Sequence, residues 1–186
     1  MELIDVLDEN GKVTGRVEDR KTVHEQGLWH THVGVWIMNK NGELLFQKRA
    51  ATKSTNPNIW SRTGGHADSG ETPLQAIQRE TAEEIGVEIP LEKFELINVS
   101  KFEKTNAETQ KTTRDFTYNY FSMVDYKLND YTMQEEEVSD LKYVSIEDMR
   151  KAKEDDDKTY TFAKWDRSNF DYIVGILEKK REELVY

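Results

Sequence analysis

The chain has 186 residues, 36% apolar and 33% charged, and its 26 basic and 36 acidic residues leave a formal charge of −10. That size favours one domain. No apolar run approaches the ~18 residues of a membrane span, and Met1–Asp5 lacks the basic and apolar regions of a signal peptide, so a cytoplasmic protein without membrane attachment is expected. The absence of cysteine excludes disulfides, thiolate metal sites and a cysteine nucleophile, and the acidic balance disfavours a nucleic-acid partner. The acid is concentrated: Asp130–Asp157 carries 11 acidic and 4 basic residues, net −7, against 25 and 22, net −3, elsewhere. An anionic ligand therefore needs a metal or a local basic patch.

In chain order, Leu3–Val17 reads as two strands around Asn10-Gly11, a dipeptide suited to a type I′ hairpin turn. The polar stretch Glu18–Trp29 is an irregular connection or a short helix. His30–Met38 reads as a buried strand, and Glu43–Lys48 returns as its partner after Asn39–Gly42. A polar loop, 50–59, precedes Trp60. Thr72-Pro73-Leu74-Gln75 starts a helix, with Thr as N-cap, Pro at the first helical position and Gln three residues after the cap, and Gly86 stops it. Strands are expected over Phe94–Phe102, Arg114–Val124 and Tyr143–Ile146, with a helix start at Ser145–Asp148. A last helix spans about Asp166–Glu183, within a C-terminal helical region 160–186. No internal repeat or linker divides the chain.

On the helix ending at Gly86, Glu83 lies at roughly −60° and Glu84 at roughly +40° from Glu80, at ~100° per residue. The stripe Leu74, Ile77, Thr81 and Ile85 faces the core, and Ala76 leaves space inside the carboxylate arc. Three glutamates in one arc repel one another at the helix end where the macrodipole favours cations. A solvated acidic face and a hard-cation site are both compatible with the helix alone, since Mg²⁺ takes carboxylate oxygens together with waters and substrate phosphates.

The preceding residues narrow the choice. Gly65, five residues, Glu71, seven residues and Arg79-Glu80-Thr81-Ala82-Glu83-Glu84-Ile85-Gly86-Val87 resemble the signature of the Nudix hydrolase family, G-x₅-E-x₇-R-E-U-x-E-E-x-G-U, with U aliphatic. All seven fixed positions match, and Thr81 departs where an aliphatic residue is usual. The resemblance implies an α/β fold with a mixed sheet between helices, a single domain over 1–186 with an N-terminal extension (1–29) and the box at 65–87. It implies Mg²⁺- or Mn²⁺-dependent hydrolysis of a small diphosphate, a nucleoside diphosphate linked to another group. Carried over, Glu80, Glu83 and Glu84 become catalytic metal ligands, joined by the Gly65 carbonyl, and Glu71 and Arg79 a structural brace. Family members often recruit a further acid outside the box, and Glu135-Glu136-Glu137 falls near that position, making Glu136 and Glu137 candidates.

The N-terminal hairpin, Leu28–Val33 and Leu44–Arg49 look like isopentenyl-diphosphate isomerase and related Nudix hydrolases. His30 and His66 fall near the histidines that hold that isomerase's metal, but its cysteine has no counterpart here. A hydrolase on an isomerase-like frame is expected, with an isomerase or a non-catalytic nucleotide-binding module as alternatives. His24 reads as a surface residue, and His30 and His32 as a hydrogen-bonded strand edge. His66 could reach a phosphate or base. Trp60 reads as core packing, and Tyr118 and Tyr120 share a strand face. Lys48, Arg49, Lys53 and Arg62 form the local basic set for phosphate, against a reading as solubilising charge. Specificity is expected in loops 18–29, 50–62 and 103–113. A homodimer stays open.

Overall fold

The computed structural model describes residues 2–53, 55–107 and 111–185. The chain divides into two units, Met1–Val35, Gly64–Glu80 and Ile89–Phe121 in the first, and Trp36–Thr63, Thr81–Glu88 and Ser122–Tyr186 in the second. The class is α/β, a mixed sheet with accompanying helices and a separate N-terminal hairpin. Among the described residues no helix is long and apolar enough to cross a membrane.

In the first unit, β1 (Leu3–Leu7) pairs antiparallel with β2 (Val13–Asp19). The expected type I′ turn does not form. Asp8 N–H donates to the Lys12 carbonyl at 2.8 Å and Gly11 N–H to the Asp8 carbonyl at 3.0 Å, and Gly11 has φ +82° while Asn10 stays out of the left-handed region. This is the longer hairpin loop, a turn followed by one glycine in the left-handed region. The Asp8 carboxylate selects it by accepting from the Asn10 and Lys12 N–H groups, an interaction the Asn-Gly dipeptide alone does not reveal.

The polar stretch after β2 contains a helix, α1 (Arg20–Gln26), capped by Asp19 and stopped by Gly27 at φ +61°. The strand β3 (His30–Met38) neighbours β7 (Thr112–Met123), which pairs antiparallel with β6 (Glu95–Thr105). These last two run further than their apolar residues suggest. Polar cross-strand pairs extend the ladder: Arg114 reaches Glu103 at 2.8 Å, and the Thr105 and Thr112 hydroxyls meet at 2.9 Å. The expected loop 103–113 thereby shortens to the link between Thr105 and Thr112, of which 108–110 lie outside the described residues.

In the second unit, β4 (Leu44–Arg49) meets β3 at Met38↔Leu44, β5 (Trp60–Ser61) and β8 (Val138–Val144). The strand expected at Tyr143–Ile146 lies earlier, because Ser145 leaves the ladder to cap α3 (Ile146–Glu154). At the C-terminus, helix α4 (Arg167–Glu182) starts at its Asp166 cap and lies between 3₁₀ turns over Thr161–Lys164 and Glu183–Val185. Phe46, Tyr160, Phe162 and Phe170 form an aromatic cluster with ring centroids 4.7–5.9 Å apart, Tyr160 stacked on Phe162 and Phe46 edge-on to both, each contact contributing about 0.5–1.5 kcal/mol beyond burial.

The helix α2 (Pro73–Ile85) forms where the caps place it. Gln75 N–H donates to Thr72 Oγ1 while Gln75 Oε1 accepts from Thr72 N–H, a reciprocal box that satisfies two donors at the helix start. Gly86 ends it at φ +69°.

Candidate functional site

The loop before α2 is tied down from both sides in the first unit. The Asp5 carboxylate accepts from Ser69 Oγ at 2.7 Å and Gly70 N–H at 3.0 Å, so the N-terminal hairpin supports the loop. Arg79 binds Glu71 with two parallel donors, Nε at 2.9 Å and Nη2 at 3.0 Å, a fork geometry lysine cannot reproduce. The same guanidinium donates to the His66 carbonyl at 2.8 Å and to Glu80 Oε1 at 3.0 Å. The Glu71 carboxyl sits below its usual range: burial raises it, and the Arg79 hydrogen bond and charge outweigh that.

Gly65 lies against the Glu80 carboxylate. A Cβ at residue 65 would stand 2.3 Å from Glu80 Oε1, so only glycine lets backbone and carboxylate approach this closely. The Gly65 carbonyl accepts from Val33 N–H at 2.8 Å, which engages one of its two lone pairs.

In the second unit, the carboxylate face of α2 is not uniformly solvated. Glu83 is exposed, whereas Glu84 is 5% exposed. Glu84 Oε2 accepts from Gln47 Nε2 at 2.8 Å, and Thr63 Oγ1 donates to Gln47 Oε1 at 2.9 Å. Gln47 and Thr63 are both buried. Sequence reasoning missed both; the available signal was an amide ending the buried apolar run Leu44-Leu45-Phe46. Thr81, the departure from the signature, is fully buried, as is Ala76, which packs instead of leaving room beside the carboxylates.

The acidic segment approaches the end of α2 through its backbone, Thr132 N–H donating to the Ile85 carbonyl at 3.0 Å and Gln134 N–H to the Glu84 carbonyl at 3.1 Å. Glu135 and Glu136 are exposed. Glu137 is held by Lys53 Nζ at 2.5 Å. Of the remaining basic set, Arg49 Nε donates to the Thr55 carbonyl at 3.1 Å. The Arg62 guanidinium lies 5.6 Å from the Trp36 ring centroid, and Lys48 Nζ 5.8 Å from that of Trp60. Trp60 is half-buried, with Lys142 Nζ 4.0 Å from its ring centroid; it is not the core residue expected.

A second donor group lies in the first unit. His24, His30 and His66 each offer a ring nitrogen, all within 4.8 Å of one another. This corrects the reading of His24 as a surface residue: α1 turns its ring toward His30 and His66, with centroids 5.2 and 5.1 Å away. Burial pushes His30 down to about 4 from 6.5, so its ring is neutral near pH 7. Its Nδ1 lies 3.0 Å from the Leu28 carbonyl. A carbonyl only accepts, so Nδ1 carries the proton and Nε2 keeps its lone pair, the tautomer a metal ligand needs. Glu2 approaches His66 at 3.4 Å, and the hydrogen bond from that imidazole, the leading cause, draws the Glu2 carboxyl down to about 2. Glu2, Asp19, Arg20, Lys21 and His24 line a cleft of about 430 Å³.

The three histidines form a nitrogen donor set, which suits a softer cation than a hard, oxygen-seeking one. The NUDIX domain family matches residues 28–165. Nudix hydrolase 3 of Arabidopsis thaliana is 35% identical over 163 residues, 86% of this chain and 21% of that protein, so the chain spans about a fifth of that relative's length. A Nudix hydrolase of Listeria monocytogenes is 35% identical over 150 residues, 80% of this chain and 83% of its own. The isopentenyl-diphosphate Delta-isomerase of Streptomyces avermitilis is 38% identical over 86 residues, 46% of this chain and 44% of the isomerase. A solved structure from Deinococcus radiodurans shares the fold, with a TM-score of 0.59 at 24% identity, covering 80% of this chain and 86% of that one. With the box complete, its loop braced by Arg79 and the family matched across most of its length, the chain belongs to the Nudix hydrolase family.

Proposed function

We propose that the protein is a cytoplasmic Mg²⁺- or Mn²⁺-dependent pyrophosphohydrolase that cleaves a nucleoside diphosphate linked to another group. The observation that carries this reading is the differing environment of the box glutamates: Glu80 lies against Gly65 and Arg79, Glu84 is buried with a neutral donor, and Glu83 faces solvent. Three carboxylates near the end of a helix, where the macrodipole favours positive charge, suit a divalent cation.

Glu80, Glu83 and Glu84 would hold that cation, and the Gly65 carbonyl is the further ligand that the family resemblance implies. When bound, the cation supplies positive charge against the phosphate oxygens and acidifies the attacking water. Water adds to phosphorus, the bridging P–O bond breaks with its electron pair on the departing phosphate oxygen, and the water's proton passes to a carboxylate. Arg79 and Glu71 keep the loop in place, and Lys48, Arg49, Arg62 and His66 are the groups proposed to meet the anionic substrate.

The test is hydrolysis of nucleotide sugars, dinucleoside polyphosphates and other nucleoside diphosphate conjugates with Mg²⁺ or Mn²⁺. Turnover of at least one class is expected, with kcat falling at least about a hundredfold in Glu84→Gln, the scale of removing a preorganised group that stabilises transition-state charge. Inactivity of the wild type across the panel, or full activity of Glu84→Gln, would overturn the reading.

The histidine trio favours a second cation site, as the resemblance to the isomerase implies. The absence of cysteine counts against isomerisation, which moves a proton at carbon. Conversion of isopentenyl diphosphate by the wild type would reverse that preference.

A further inference from the structure

Gln47 is 1% exposed on β4, directly after Leu44, Leu45 and Phe46, which are equally buried. An amide in such a place costs stability unless both ends are paired, and an aliphatic side chain would serve the packing better. Both ends are paired, and the chemistry fixes which end is which. A carboxylate at neutral pH only accepts, so the amide nitrogen must face Glu84 Oε2, at 2.8 Å. The amide oxygen then faces Thr63, whose hydroxyl must donate, at 2.9 Å. Removing the Thr63 hydroxyl removes the donor that holds the amide in this orientation.

The partner is also neutral. Glu80 meets the Arg79 guanidinium at 3.0 Å and Glu71 meets it at 2.9 Å, whereas Gln47 orients Glu84 without opposing its charge. A lysine or arginine at this position would compete with a cation for the carboxylate; an amide restrains the side chain without adding a positive charge beside it.

We propose that Gln47, oriented by Thr63, is a positioning residue that presets Glu84 for a divalent cation; this rests on the metal reading of the box given above. Outer hydrogen-bond partners of metal ligands are generally worth about 10–100-fold in metal affinity. The measurement is Mn²⁺ binding to the full chain, read by electron paramagnetic resonance, for wild type, Gln47→Leu, Thr63→Val, Thr63→Ser and Glu84→Gln, with far-UV circular dichroism and thermal midpoints alongside. Gln47→Leu and Thr63→Val should each weaken Mn²⁺ binding by about 10–100-fold with an unchanged far-UV spectrum, and Thr63→Ser, which restores the donor, should bind as the wild type does. If Gln47→Leu does not fold, Thr63→Val, nearly equal in volume, decides the matter alone. Wild-type affinity in both variants, with binding lost in Glu84→Gln, would overturn the positioning role and leave the metal reading intact. Binding absent from the wild type, or untouched by Glu84→Gln, would overturn that reading and this inference with it.

Discussion

At the scale of single residues, the titrating groups of the first unit set an acid limit. His30 is buried and held near 4, against 6.5 when exposed. Above pH 6.5 both folded and unfolded forms are neutral and the shift contributes nothing. As pH falls below 6.5 the unfolded chain takes up a proton that the folded chain refuses, so stability declines down to about 4 by on the order of 3 kcal/mol. His24, also lowered by burial and by His66, adds in the same direction. Glu2 works in a lower window: its carboxyl is drawn from 4.5 to about 2, and the stability this confers at neutral pH is lost as pH drops below 4.5. Thermal midpoints measured with chelator present should therefore fall steadily from pH 7 to pH 4, with a shallower decline in His30→Gln. A flat wild-type profile would contradict a buried, neutral His30. Arg79 shows the complementary logic: its fork ties Glu71, the His66 carbonyl and Glu80 into one network, of which the family signature implies only the pairing with Glu71.

At the scale of elements, α2 was legible in full because its limits are chemical. Thr72, Pro73 and Gln75 start it and Gly86 ends it, and caps act within a turn of their own position. Gly86 makes a sharp prediction. Its φ of +69° and a would-be Cβ 2.5 Å from the Thr132 carbonyl oxygen mean that Gly86→Ala combines backbone strain with a clash against the acidic segment. Chemical denaturation should show a loss of at least about 1–2 kcal/mol; an unchanged midpoint would mean that this segment does not pack as described. The hairpin turn was misread for the opposite reason. Asn10-Gly11 carries a local preference, but the Asp8 carboxylate satisfies two further N–H groups and shifts the loop type. The tips of β6 and β7 escaped notice because polar pairs such as Glu103–Arg114 hold them, and apolar alternation carries no trace of such pairs.

At the scale of the whole chain, charge −10 is compatible with the proposed diphosphate substrate once part of the acid is read as a cation site. Chelation should abolish hydrolysis, and added Mg²⁺ or Mn²⁺ should restore it, with no change in the far-UV spectrum, since the box loop is braced by Arg79 and Asp5 and needs no ion for that. Full turnover in excess chelator would refute the metal requirement. Two of the eleven acids in Asp130–Asp157 pair with bases outside the segment, Glu137 with Lys53 at 2.5 Å and Glu147 with Arg181 at 2.7 Å. The backbone of the segment closes the end of α2 through Thr132 and Gln134.

The sequence by itself determined the family, the α/β class, the limits of α2 and the box residues, because a signature with fixed spacing and helix caps are both local in the chain. Only the tertiary structure decided what surrounds them. Gln47 lies 37 positions from Glu84, and His24 and His30 lie far from His66, so no periodicity or spacing links them. Burial separated Glu84 from Glu83, neighbours of the same type, and made a neutral imidazole of His30, because dielectric environment is a property of everything packed around a group and is written at no single position.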